Sequence, residues 1–150
     1  MALYWDIIPF DQFDIKELYE VLQLRQTVFV VEQDCPYLDN DNYDLKAYHM
    51  MGRTEQGELL AYCRILQPGH YYAETSIGRV VTAQAARGTG AGKDLMKIAV
   101  QACESLFPEK NIRIMAQVYL LKFYTELGFV EEGDIFLEDG IEHIEMLYTV

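Results

Sequence analysis

The sequence predicts an α+β domain in which a sheet of about seven strands is flanked by helices. Seven short segments are rich in β-branched and aromatic residues and are bounded by turn-forming residues, as strands are. Two longer segments carry apolar residues at intervals of three and four, which is typical of amphipathic helices. Two strand pairs are joined by short turns that contain glycine, which predicts antiparallel hairpins. A length of 150 residues suits one domain, so residues 1–150 are assigned to a single domain.

The N-terminal region predicts a strand and then a helix. Residues 3–8 form the first predicted strand, which Pro9 ends. Asp11 or Asp14 can cap the helix that follows, whose apolar stripe contains Leu18, Val21, Leu22, Val28 and Phe29. Arg25 lies on the same stripe. Either its stem packs while its charged head reaches water, or its cation is directed into a site.

Residues 32–44 are dense in turn-forming residues and predict an irregular loop. A calcium loop of the EF-hand type starting at Asp39 would need glycine at its sixth position and glutamate at its twelfth. Asp44 and Met50 occupy those positions. We therefore reject calcium, and no cluster of histidine and cysteine predicts another metal.

The side chains of this loop suggest a substrate site, because long loops with aromatic and charged residues are usually functional in compact domains. Tyr37 and Tyr43 can wall a cleft, while Asp39, Asp41 and Asp44 can attract an amine. The other interpretation is an acidic loop that only faces solvent.

The remaining elements follow in a regular order. Residues 47–54 and 58–67 predict a hairpin, and residues 75–82 predict the next strand. A helix is predicted from about Gly90 to Phe107. The C-terminal elements are a strand, a short helix that Gly128 ends, and a hairpin, at residues 111–118, 119–127, 129–137 and 141–149.

The six residues from Arg87 to Gly92 stand at a turn from strand to helix. The first N–H groups of a helix have no internal partner, and with the helix dipole they favour an anion, usually a phosphate. Three glycines in this turn remove side chains that would keep a phosphate from the backbone, and Lys93 and Lys97 add positive charge. The alternative is a glycine-rich connector without a ligand.

Two familiar nucleotide motifs do not fit this turn. A Walker A loop fails because Arg87 and Asp94 replace its first glycine and its Ser or Thr. The dinucleotide motif fails because Lys93 replaces its third glycine. The pattern that fits is Arg-x-x-Gly-x-Gly, from Arg87 through Gly90 to Gly92.

A second motif, Phe-Tyr-x-x-x-Gly-Phe, spans residues 123–129. In this order the two motifs resemble the GCN5-related N-acetyltransferases (GNAT superfamily), which hold acetyl-coenzyme A on the first motif. The resemblance implies the GNAT fold, with a twisted, mixed and mostly antiparallel sheet. It also implies an acyltransferase that moves an acetyl group from acetyl-coenzyme A to a primary amine of a small molecule or peptide.

The resemblance also implies which residues bind the coenzyme. In this family a bulge in the strand before the glycine loop admits the pantetheine arm, and a backbone N–H near residues 80–82 can polarise the thioester oxygen. Gln117 stands where an asparagine that contacts this arm is common. The implied coenzyme-binding residues are Val80, Val81, Thr82, Arg87, Gly88, Thr89, Gly90, Ala91, Gly92, Lys93 and Gln117.

Catalytic roles follow from what amine acetylation needs. Tyr124 is assigned as general acid to the departing thiolate, with a core tyrosine as the alternative. The base, or a relay through water, is left open, with Glu32 and His143 preferred over Glu74 and His49. Because no motif pairs a cysteine with a histidine, we expect direct attack rather than an acyl-cysteine.

More narrowly, residues 24–33, Cys35-Pro36-Tyr37 and Gly140-Ile141-x-His143 resemble the ElaA-like branch of the family. Acceptor binding is assigned to Arg25, Tyr37, Asp41 and Asp44.

The first alternative function is acyl-homoserine-lactone synthesis, because synthases of that family share residues similar to Arg25, Val28-Phe29, Asp41, Asp44 and Arg64. Pro36-Tyr37 stand where those synthases would have a tryptophan. A second alternative is a non-catalytic module that binds coenzyme A.

Composition limits the partners. A net charge of −12 argues against nucleic acid, although residues 78–97 carry four cations against one carboxylate. No apolar run is long enough for a membrane helix, and no secretory signal is expected. Three widely spaced cysteines favour reduced thiols in the cytoplasm. A homodimer is among the oligomeric states that the sequence leaves open.

Overall fold

The computed structural model describes residues 2–150 and contains one mixed sheet of seven strands. The strands are β1 (Tyr4–Pro9), β2 (Tyr48–Arg53), β3 (Leu59–Leu66), β4 (Thr75–Thr82), β5 (Ile112–Gln117), β6 (Val130–Glu138) and β7 (Ile141–Tyr148). They lie in the order β1-β2-β3-β4-β5-β7-β6, and each neighbouring pair is antiparallel except β4 and β5. The predicted α+β class and mostly antiparallel sheet are confirmed. The single parallel pair arises because a helical crossover joins β4 to β5.

Among residues 2–150, three α-helices flank the sheet, namely α1 (Ile15–Arg25), α2 (Ala91–Leu106) and α3 (Leu121–Glu126). Asp14, one of the two predicted caps, begins α1. Its side chain accepts a hydrogen bond from the Glu17 backbone N–H at 2.8 Å, and the Glu17 side chain accepts one from the Asp14 N–H at 3.2 Å. This reciprocal pair is a capping box. Gly128, which the sequence predicts as the end of the short C-terminal helix, follows α3 with a φ of +102°.

The first helix changes character where the sequence predicts a continuous α-helix. Residues Gln26–Glu32 are π-helical and extend α1. The wider turns are closed by bonds five residues apart, from the Gln33 N–H to the Val28 carbonyl at 3.1 Å and from the Cys35 N–H to the Val30 carbonyl at 3.0 Å. A short 3₁₀ turn, Tyr43–Lys46, likewise interrupts the predicted irregular loop. π-Helical segments of this kind often lie at functional sites.

The core lies on both faces of the sheet. Along the fully buried strand β3, Ala61, Cys63 and Ile65 pack in the cluster that includes α2, whereas Tyr62 packs with residues of α1. This alternation is expected where both faces of a central strand are covered by helices. Within residues 2–150, no helix has both the length and the apolar character needed to cross a membrane.

Two irregularities in β4 open the middle of the sheet. Its parallel pairing with β5 is limited to Thr75 with Ile112 and Ser76 with Arg113, so the two strands diverge beyond that point. On its other side, the register with β3 changes between Gly78 and Val81. β4 therefore contains a bulge. The divergence of the strands and the bulge both lie beside the cleft between β4 and β5.

Candidate functional site

A cleft of about 1260 Å³ lies where β4 and β5 separate. Its walls come from β3, β4, β5 and β7, the glycine turn and the start of α2, α3 with the short turn before it, the π-helical segment with the loop after it, the β3–β4 loop, and the turn between β6 and β7. Most of the residues predicted for the site line it, including Tyr37, Asp41, Gln117, Tyr124 and His143. Arg25, Asp44 and Thr89, which were also predicted for the site, are not among the lining residues.

The glycine turn forms one end of the cleft and leads into α2. Gly88 and Gly90 have φ values of +77° and +86°, a left-handed conformation that other residues adopt at a cost. Gly90 is the N-cap of α2, so the N–H groups that follow it have no carbonyl partner in the helix. No heavy atom lies within 4 Å of a side-chain carbon added at either glycine. The turn is therefore open on the side of these two glycines, as an anion site at a helix N-terminus needs to be.

Arg87 joins this turn to the π-helical segment. Its guanidinium donates to the Glu32 carboxylate at 2.7 Å and to the Thr82 carbonyl at 3.2 Å. The Thr89 hydroxyl donates to the Ala86 carbonyl and closes the turn from within. Glu32 thus lies at the end of the cleft that contains the glycines, already paired with a cation.

The bulge in β4 places Arg79 and Val80 together opposite Cys63. Arg79 has a φ of +51°, which is unusual for a residue with a side chain. A bulge leaves its extra residue outside the ladder, so backbone N–H groups near Val80 are not all used in pairing. Val80, Val81 and Thr82 line the cleft at this point.

Tyr124 lies deep beside the cleft, at 5% exposure. Its ring packs edge-on against Phe123 and Phe129, with centroid distances of 5.1 and 5.9 Å. Burial raises the pKa of its phenol, so the hydroxyl stays protonated at neutral pH. The structure therefore places Tyr124 both in the core and at the cleft wall.

His143 lies on β7, opposite Gln117 of β5. Its Nδ1 is 2.7 Å from the Ile141 carbonyl, which can only accept, so the neutral ring carries its proton on Nδ1. The Nε2 lone pair is then available to accept a proton. The ring stacks on Phe136 at 6.0 Å, which fixes its orientation. Gln117, the predicted contact for the pantetheine arm, shares a hydrogen bond of 3.2 Å with the Gln33 amide.

A network of ion pairs connects the acidic loop to the sheet. Three arginines and three aspartates alternate in it: Arg25, Asp39, Arg79, Asp41, Arg64 and Asp44. Every nitrogen–oxygen distance in the network lies between 2.6 and 3.2 Å. Arg25 is 1% exposed and binds Asp39 and Asp44, so its cation is directed into this network rather than towards water.

Arginines of the network keep Asp44 and Asp41 ionised despite their burial. Burial by itself would raise the pKa of Asp44, but hydrogen bonds and charge from Arg25 and Arg64 outweigh it and hold this pKa below its usual value. The pKa of Asp41 is lowered in the same way, chiefly by Arg64 acting against burial. Asp44 is thus buried behind the cleft, while Asp41 lines it with its charge already balanced.

The other two candidate bases lie outside the cleft lining. His49 is 1% exposed and bonded to the Tyr62 hydroxyl and the Asp44 carbonyl at 2.7 and 2.9 Å. Burial lowers its pKa and keeps it neutral. Glu74 is held by Arg113 at 2.9 and 3.1 Å, and these hydrogen bonds lower its pKa.

Sequence reasoning missed several residues of the cleft. Arg79 was counted only as local positive charge, whereas it spans from the bulge to Asp39 and Asp41. Tyr71, Tyr72 and Glu138 also line the cleft. The adjacent tyrosines after a Pro-Gly turn were a visible signal, but no local pattern indicated that they meet the acidic loop.

Comparisons with known proteins agree with this geometry. The family model of the acetyltransferase (GNAT) domain matches residues 21–150. A UPF0039 protein of Synechocystis is 41% identical over this whole chain and 97% of its own length. Protein ElaA of Escherichia coli is 39% identical over 97% of this chain and 96% of its own, and its crystal structure superposes with a TM-score of 0.91 over 98% of this chain and 99% of that one.

The crystal structure of an acyl-CoA N-acyltransferase from Pseudomonas aeruginosa is 43% identical in sequence to this chain. It superposes with a TM-score of 0.93 over 99% of this chain and all of its own. The family model matches all but the first 20 residues, and the relative from Synechocystis and the structure from Pseudomonas aeruginosa each match 99% of the chain or more. The chain therefore belongs to the GNAT acetyltransferase family, in the group that includes ElaA.

Proposed function

We propose that this protein transfers an acetyl group from acetyl-coenzyme A to a primary amine of a small molecule or peptide. Membership of the family implies a coenzyme A derivative as cosubstrate. The observation that carries the proposal is one continuous cleft, which runs from the open glycine turn past the β4 bulge to Tyr124 and His143.

The residues of the glycine turn are proposed to hold the diphosphate of the coenzyme. Backbone N–H groups at the start of α2 point to one end of the cleft, and Lys93 adds a cation there. The diverging strands offer room for an extended arm between Val80 and Gln117. The thioester supplies an acyl group that is already activated for attack by an amine.

His143 is the proposed base, because its Nε2 is free to accept a proton and its ring is fixed. Glu32 is the weaker candidate, because Arg87 already holds its carboxylate. Backbone N–H groups near Val80 donate to the thioester oxygen as negative charge develops there. The amine nitrogen forms a bond to the acyl carbon, the bond from that carbon to sulfur breaks, and the electron pair leaves with the sulfur.

Tyr124 is proposed to donate a hydrogen bond to the departing sulfur. Because burial raises the pKa of its phenol, the hydroxyl remains a donor throughout the neutral range. A thiolate with a pKa of about 8.5 is a weaker base than this phenolate, so the proton stays on Tyr124 and the hydroxyl stabilises the sulfur through the hydrogen bond. An amine that arrives as an ammonium ion loses one proton before the attack, and formation of the amide releases a second; His143 accepts a proton from the amine, and the thiolate takes up one proton to leave as the free thiol.

The test is turnover by the purified protein. Acetyl-coenzyme A and a panel of primary amines should give free thiol and an equal amount of N-acetylated product by mass spectrometry. Coenzyme A that binds tightly without turnover of any amine would instead indicate a non-catalytic binding module. Formation of a lactone from S-adenosylmethionine and an acyl carrier protein would favour acyl-homoserine-lactone synthesis.

A further inference from the structure

Tyrosines line the part of the cleft that adjoins the acidic loop. The rings of Tyr43 and Tyr71 have their centroids 5.0 Å apart, and Tyr71 and Tyr72 are 4.8 Å apart. All three line the cleft, as does Tyr37. Aromatic faces carry negative electrostatic potential and attract cations.

The arginines beside these rings already have partners. Arg64 lies over Tyr43 at 6.0 Å and Arg79 over Tyr37 at 5.8 Å, and both bind aspartates of the network. The three arginines and three aspartates of the network cancel in formal charge. The network therefore leaves no net positive charge that would repel a cationic substrate.

Two carboxylates add negative charge to the same wall. Glu138 is the last residue of β6 and Asp139 begins the turn to β7; both line the cleft, and neither makes a salt bridge within residues 2–150. Burial and then the charge of Glu138 raise the pKa of Tyr71, consistent with a carboxylate close to that ring. This wall of the cleft is therefore aromatic and anionic.

The register of the hairpin places Glu138 near the proposed base. Phe136 pairs with His143 and Glu138 pairs with Ile141, so these four side chains share one face of the hairpin. Glu138 and His143 are therefore diagonal neighbours across the two strands, and such neighbours lie roughly 7–8 Å apart. The backbone positions that carry the carboxylate and the imidazole are thus separated by a distance that a short aliphatic chain can bridge.

We propose that the acceptor is an amine with a second positive charge a few methylene groups away, which Glu138 binds against the rings of Tyr43 and Tyr71. This inference rests on the proposed function and names its substrate class. The reacting amine must lose its proton, so a carboxylate that held it as an ammonium ion would oppose the attack. A second ammonium keeps its charge throughout the reaction, and Glu138 can hold it while His143 serves the first.

The experiment compares two probes of equal carbon number, diaminobutane and n-butylamine, with the full chain and saturating acetyl-coenzyme A. We expect kcat/KM for thiol release to be about tenfold higher for the diamine. Glu138→Gln should reduce this ratio about fivefold, because it removes the carboxylate and keeps its size. Glu142→Gln is the matched control, since Glu142 is exposed on the same hairpin and does not line the cleft.

Equal kcat/KM for the two amines, or a ratio that Glu138→Gln leaves unchanged, overturns this inference and leaves the acetyltransferase proposal standing. If neither amine releases thiol, calorimetry measures the binding of each amine to the protein saturated with coenzyme A, which tests the acceptor site independently of turnover. Tighter binding of diaminobutane that Glu138→Gln weakens then supports the acceptor site although the proposed activity fails. Equal binding of both amines overturns it.

Discussion

The two ends of the cleft are built in different ways. The glycine turn is made by contiguous backbone at the start of α2, and its key groups are N–H donors that any sequence permitting the turn would supply. The acidic loop and its partners are made by side chains from α1, β3, β4 and the loop itself, joined through six charges. A site made of contiguous backbone can be recognised from a short sequence motif. A site made of side chains from distant segments is assembled only when the chain folds.

The largest expected effect tests whether the side-chain end depends on its charge balance. Asp44→Asn removes one charge and leaves Arg25 and Arg64 buried without their shared partner, so we expect a loss of about 3 kcal/mol in the free energy of unfolding. Urea denaturation measures it. Glu20→Gln, which breaks the more exposed pair with Arg53, should cost below about 1 kcal/mol. Equal losses in the two variants would contradict the difference drawn between buried and surface pairs.

The backbone end is tested by Gly90→Asp. A side chain in a left-handed position, with a negative charge where the diphosphate is proposed, should weaken coenzyme A binding about 100-fold or more. Calorimetry gives the affinity. Gly57→Asp is the control, because Gly57 has a φ of +89° and equally open surroundings but lies in the β2–β3 turn. If both variants bind as the wild type does, the site assignment is wrong.

Tyr124→Phe tests the point where the two ends meet. Loss of the hydroxyl should lower kcat about tenfold while coenzyme A affinity stays within about twofold, because only the donor to the sulfur is removed. Tyr148→Phe removes a hydroxyl from another tyrosine that packs on Phe129 and does not line the cleft. Similar kcat values for the two variants would show that Tyr124 acts only by packing.

The smallest expected effect is the pH dependence of the free energy of unfolding that the ion-pair network causes, because it is confined to acid pH. Asp44 has a folded-state pKa below its unfolded value of about 3.9, so its contribution to stability is complete above that pH. The contribution is lost as the pH falls through the folded-state pKa. Denaturation midpoints below pH 4 should therefore fall less steeply in Asp44→Asn than in the wild type. Parallel pH profiles would count against this linkage.

Sequence reasoning predicted the glycine-turn end of the cleft better than the end that the acidic loop forms. The strand, glycine turn and helix around Gly90 were predicted in the right order, and the bulge that resemblance implied is present near Val80. Arg25 was recognised as unusual, but its partners could not be named. They lie 14 and 19 residues away in the chain, and no local spacing connects them.

The sequence alone determined the order of the elements, the glycine turn and the family to which the chain belongs, because these follow from local periodicity and short motifs. Only the tertiary structure decided that Asp44 is buried with two arginines, that Glu32 pairs with Arg87, and that Glu138 and Tyr71 line one cleft. Charges act over distances in space, and the fold sets those distances between residues far apart in the chain.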